Sequence, residues 1–82
     1  MTRIILTTPD ELTDPDNHVT YKRRDDGMLV VITPGIRFTV EAKVGLYFWR
    51  VLLAEALENA GLPRDVDRLE IARYLEMKNP AD

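Results

Sequence analysis

The side chains able to do chemistry are few in this sequence, and their spacing does not suit them for it. His18 is the single histidine and sits beside Asn17 where a strand should begin, a place for a solvated turn residue. There is no cysteine and no serine, which removes disulfides, thiolate metal sites and the commonest thiol and hydroxyl nucleophiles. The threonines have no histidine base near them in sequence. Asp10, Glu11, Asp14 and Asp16 form an acidic group, but their spacing lacks the ligand and glycine pattern of a calcium loop. Capping and turn formation account for them better. The four glycines are scattered, so no loop cradles a phosphate. The expectation is a non-enzymatic chain with no cofactor and no metal site.

One run of positive charge exists, Lys22-Arg23-Arg24. On a strand, Lys22 and Arg24 share a face and Arg23 points the other way. Asp25 and Asp26 follow at once and offset the field. With Arg37, the pair Lys22 and Arg24 defines a candidate nucleic-acid surface on the sheet. Phosphate-binding sheets interleave aromatics with such residues, and the one aromatic neighbour, Tyr21, faces away from Lys22. The first 39 residues carry five basic and six acidic groups and the remainder six and eight, so neither half attracts phosphate strongly.

These residues need elements to position them. Arg3–Thr7 is short, apolar and β-branched, a first strand. Thr8, Pro9 and Glu11 fit a capping box with proline at the first helical position, which predicts one helical turn. A loop follows over Asp14–Asn17. His18–Arg24 alternates with Val19 and Tyr21 on one face. Asp25-Asp26-Gly27 is a hairpin turn. Met28–Thr33 is apolar on both faces, as in a central strand. Pro34-Gly35 suits a type II turn, and Ile36 and Phe38 alternate with Arg37 and Thr39. Residues 18–39 therefore read as an antiparallel meander. A helix is predicted from about 40 to 60, stopped by Gly61 and Pro63. A second spans about 65 to 77, with Asp65 as its N-cap. The fold class is α+β, one domain over 1–82: an antiparallel sheet of three to four strands packed by a long and a shorter helix.

The long helix is the most informative segment. At about 100° per residue, Leu46, Trp49, Leu53, Ala56, Leu57 and Ala60 form a stripe suited to the sheet. Val44, Tyr47, Phe48 and Val51 project from the opposite side, with Lys43 and Arg50 as a basic flank. A helix that is apolar on both sides needs cover on both. That cover is the first strand or second helix of this chain, or another chain. Gly45 suggests close approach of a neighbouring backbone. In the second helix, Leu69, Ala72 and Leu75 make a stripe with Ile71 beside it.

The stretch LPRDVDRLEIARYLEM resembles, over about ten residues, the first helix of a helix-turn-helix DNA reader. A recognition helix must follow such a unit, and none fits before Asp82. In size and composition, and in its eight arginines against three lysines, the chain is similar to the small accessory proteins of high-GC bacteria and bacteriophages. That resemblance implies a protein that binds a host protein or itself. The N-terminus lacks a secretory pattern, and no stretch is long and apolar enough to cross a bilayer, so a cytoplasmic location is expected. The leading expectation is a protein-binding module using Val44, Tyr47, Phe48, Val51, Arg50 and Lys43, with a homodimer as one form. Nucleic-acid binding through Lys22, Arg24 and Arg37 is the alternative.

Overall fold

The computed structural model describes residues 3–78. Five strands, β1 (Ile5–Thr8), β2 (Glu11–Asp14), β3 (Val19–Arg23), β4 (Leu29–Thr33) and β5 (Ile36–Val40), form one antiparallel meander in the order β1-β2-β3-β4-β5. Two helices follow, α1 (Ala42–Asn59) and α2 (Arg68–Lys78).

The α+β class holds, and the sheet is larger than expected. The segment read as a capped helical turn is β2, paired with both β1 and β3. Its alternation decides the matter: Leu12 and Asp14 are buried while Glu11 and Thr13 are only partly so. Thr8 caps something smaller than a helix, since its hydroxyl accepts the Asp10 N–H at 3.2 Å across the Pro9-Asp10 turn. The segment read as a central strand, Met28–Thr33, is β4, paired on both sides.

Register assigns the faces. Leu6, Leu12, Tyr21, Val31 and Phe38 lie in one cross-strand row, and Arg23, Leu29 and Val40 in another. Both rows share the face that α1 covers. Trp49 packs there in a cluster with Ile4, Leu12, Leu29, Val31 and Ala56. The other face carries Thr13, Thr20, Lys22, Val30, Ile32, Arg37 and Thr39.

The turns follow the expected chemistry. Gly27 and Gly35 have φ of 88° and 84°, the positive values their hairpins require. Helix α1 starts two residues later than predicted because β5 continues through Val40, and it ends in a Schellman motif. The Leu62 N–H donates to the Leu57 carbonyl at 2.8 Å, the Gly61 N–H to that of Glu58 at 3.1 Å, and Gly61 sits at φ 75°. In α2 the cap is Asp67, not Asp65: its carboxylate accepts the Glu70 N–H at 2.8 Å. Ile71 is the buried residue of α2, and Leu69, expected in the packed stripe, is exposed. Leu46, expected against the sheet, is partly exposed as well.

Gly45 fixes where α1 crosses the sheet. A Cβ at this position would stand 3.0 Å from the Leu29 Cβ, 3.1 Å from the Leu29 nitrogen and 3.2 Å from the Val40 carbonyl oxygen. The helix starts over the β4–β5 end and runs diagonally to β1, where the Asn59 amide donates to the Ile4 carbonyl at 3.1 Å. Helix α2 packs against β1, with Arg68 reaching Asp10. No helix among the described residues is long and apolar enough to cross a membrane.

Candidate functional site

The diagonal course of α1 leaves one corner of the sheet bare. Covering a twisted five-stranded sheet takes more than one helix, and α2 is spent on the opposite corner, near Asp10 and β1. The bare corner holds Ile36 and Phe38 of β5, 62% and 47% exposed. Both lie on the helix-covered face by register, since Phe38 pairs with Val31 and Ile36 with Thr33. In a right-handed helix running this way, the flank turned toward that corner carries Val44, Phe48 and Leu52. Phe48 is 49% exposed, and Val44 and Val51 are similarly open. The expectation that α2 or β1 would cover this side of α1 is not met.

By register and helix direction, the α1 flank and β5 bound an apolar groove, one as its wall and the other as its floor. Tyr47 stands at its outer rim, 6.0 Å from Phe48 between ring centroids in an edge-to-face arrangement. Aromatic side chains carry about 150–250 Å² each, so the half-exposed Phe38 and Phe48 with Ile36, Val44 and Val51 leave roughly 400 Å² of apolar surface. On a monomer, patches of about 300–600 Å² are the largest found and are often functional. The groove also adjoins an open strand edge. Thr33 and Ile36 close a two-residue hairpin, so β4–β5 hydrogen-bonded pairs alternate from there. Arg37 and Thr39 consequently turn their main-chain groups outward.

The expected contact set divides. Val44, Phe48 and Val51 border the groove and Tyr47 its rim, whereas Lys43 and Arg50 lie on the other flank of α1, on the side where α2 lies. Ile36 and Phe38 complete the site and were missed from sequence. Their alternation marked a strand face, but which corner α1 leaves open is not encoded locally.

The basic candidates Lys22, Arg24 and Arg37 do share one face, the one opposite the helices. Two of them are ion-paired: Lys22 with Glu11 at 3.6 Å and Arg24 with Asp26 at 2.7 Å. Among the described residues of that face none is aromatic. Arg23 points to the helix side, where its guanidinium lies 6.0 Å from the Trp49 ring centre and 3.7 Å from Asp10. Asp10 thus joins β3 to α2 through Arg23 and Arg68.

Two further ionisable groups, Asp14 and Tyr21, meet near the β2–β3 turn. Asp14, 3% exposed, accepts the Asp16 and Asn17 N–H groups at 3.2 and 3.4 Å and the Asn17 amide at 2.8 Å, which builds the β2–β3 turn. Burial, and then the nearby Asp14 carboxylate, push the Tyr21 phenol above its ordinary value. His18 is exposed, with φ of 55° at the end of that turn. Among the described residues, no three His, Cys, Asp or Glu side chains converge as a metal site would need. A cleft of about 730 Å³ between β1, α1 and α2 is lined by Arg3, Ile5, Asn59, Tyr74 and Lys78 among others, and it holds none of the expected contact residues. No protein-family model, no curated protein and no solved structure matches the chain.

Proposed function

We propose that this chain is a non-enzymatic protein-binding module whose docking surface is the groove between α1 and β5. One observation carries the reading: Phe38 and Ile36 of the sheet and Phe48, Val44 and Val51 of the helix are all exposed, and β5 beside them is an edge strand. Buried aromatic anchors supply most of the energy of protein interfaces, and a strand edge adds directional main-chain bonds. The small, cysteine-free composition fits an accessory protein that acts on a host protein or on its own copy. Nucleic-acid binding has less support, because Lys22 and Arg24 are paired with carboxylates and the described residues of that face offer no stacking side chain.

Phe48→Asp tests the reading. Half-exposed Phe48 gives up limited packing and some helix propensity, so the variant loses less than about 2 kcal/mol of stability to urea and keeps its circular dichroism. Association through the groove is lost. A variant that unfolds shows Phe48 to be part of the core, and the reading fails.

A further inference from the structure

We propose that the occupant of this groove is a second copy of the chain, paired antiparallel along β5 about a two-fold axis to give a continuous ten-stranded sheet; this rests on the docking surface proposed above. The two edges of the sheet differ. Edge strand β1 has four residues, an irregularity between Leu6 and Thr8, and α2 packed against it. Irregular, covered edges of this kind resist pairing. Edge strand β5 has five regular residues, no proline within it and no helix packed along its outer side.

A two-fold contact must be self-complementary, and β5 meets that condition. With Thr39 on the axis, the two Thr39 residues exchange main-chain hydrogen bonds and Arg37 of each copy faces Glu41 of the other. Alternation carried one residue past β5 sets Arg37 and Glu41 on the same face, away from the helices. Neither forms an ion pair among the described residues. On the helix side, each Phe38 comes beside Val40 of the second copy, and the Val44–Phe48 flanks of the two α1 helices face each other across the axis. A stable interface buries about 800 Å² per partner. The apolar groove supplies roughly half of that, and the strand edge with Arg37, Thr39 and Glu41 supplies polar surface of the same order.

Light scattering after size exclusion, run on the full chain over a wide concentration range, reads the mass directly. The expected value is about 19 kDa, twice the chain mass of 9.4 kDa. Thr39→Pro removes an outward N–H and no bond of the β4–β5 ladder, so it gives 9.4 kDa with an unchanged urea midpoint below the dimer range. Phe48→Asp raises the dissociation constant by about 30-fold or more. Arg37→Glu and Glu41→Arg each weaken the dimer, and the double variant restores it. A dimer indifferent to Thr39→Pro, or a double swap that fails to restore it, overturns the β5 pairing. A wild-type mass of 9.4 kDa throughout overturns the second copy. In that case a stable Phe48→Asp chain leaves the groove to a foreign strand or helix, and an unfolded one removes the docking surface as well.

Discussion

Replacing Gly45 with alanine sets two effects of similar size against each other. Helix propensity favours the change by about 1 kcal/mol, because Gly45 is inside α1 and alanine loses less backbone entropy. Packing opposes it. The new methyl would lie 3.0 Å from the Leu29 Cβ, 3.1 Å from its nitrogen and 3.2 Å from the Val40 oxygen. Two of those atoms are backbone of β4 and β5, inside the ladder, so no side-chain rotation relieves the contact. Overpacking of this kind costs about 1–3 kcal/mol, and the rigid partners favour the upper part of that range. The net expectation is a loss of about 1–2 kcal/mol, which lowers the melting temperature by roughly 4–8 °C per kcal/mol for a chain of this length. Urea unfolding followed through Trp49, the only tryptophan and a buried one, reads the change. The comparison is Gly61→Ala. There a Cβ meets nothing within 4 Å, but φ is 75°, so the loss of about 1–2 kcal/mol comes from left-handed backbone alone. Gly45→Ala at or above wild-type stability would refute the close seat of α1 on the strands, and with it the diagonal that leaves the β5 corner bare.

Asp14→Ala removes the acceptor of three hydrogen bonds in the β2–β3 turn, at a cost of about 1–3 kcal/mol in urea unfolding. Exposure of Asp16 and Asn17 lets water satisfy part of the loss, so the lower half of the range is expected. Tyr21 makes stability sensitive to alkali. Its folded phenol holds the proton more tightly than the unfolded one, so stability is full below the ordinary tyrosine range and falls as pH rises through it. Tyr21→Phe flattens that alkaline limb in melts taken across the range, and Asp14→Ala flattens it in part by removing the smaller, coulombic cause. An alkaline limb unchanged in Tyr21→Phe would assign the sensitivity to another group.

Periodicity made most of the fold legible, and it failed where the segments were shortest. Helix α1 spans five turns, enough for its apolar stripe and its second apolar side to be read independently. β2 has four residues between Pro9 and Pro15, so Leu12 and Asp14 give one alternation only. Local turn chemistry at Thr8, Pro9 and Glu11 then outweighed it. Asp67 and Asp65 are both plausible caps by type, and the choice depends on where Ile71 meets its buried surroundings, which is tertiary. Arg23 was separable from Lys22 and Arg24 by strand alternation alone. That it would lie against Trp49 was not, because the two are 26 residues apart and meet only through the placement of α1.

The candidate site has the same origin. Val44, Tyr47, Phe48 and Val51 are visible as surplus on an already amphipathic helix. Ile36 and Phe38 are not surplus on their strand, where they read as ordinary inward positions. They become exposed because Gly45 seats α1 over Leu29 and Val40, and from there the helix runs away from β5 toward Ile4. Shortage of material does not explain the bare corner. The chain has a second helix, and it lies on the far side, packed against β1 with Ile71 buried and Arg68 paired to Asp10. With Ile71 buried and Leu75 half-buried on the β1 side, α2 leaves Phe38 uncovered. The chain thus covers the edge that already carries an irregularity and keeps the regular one open. That distribution is the one the proposed association along β5 requires.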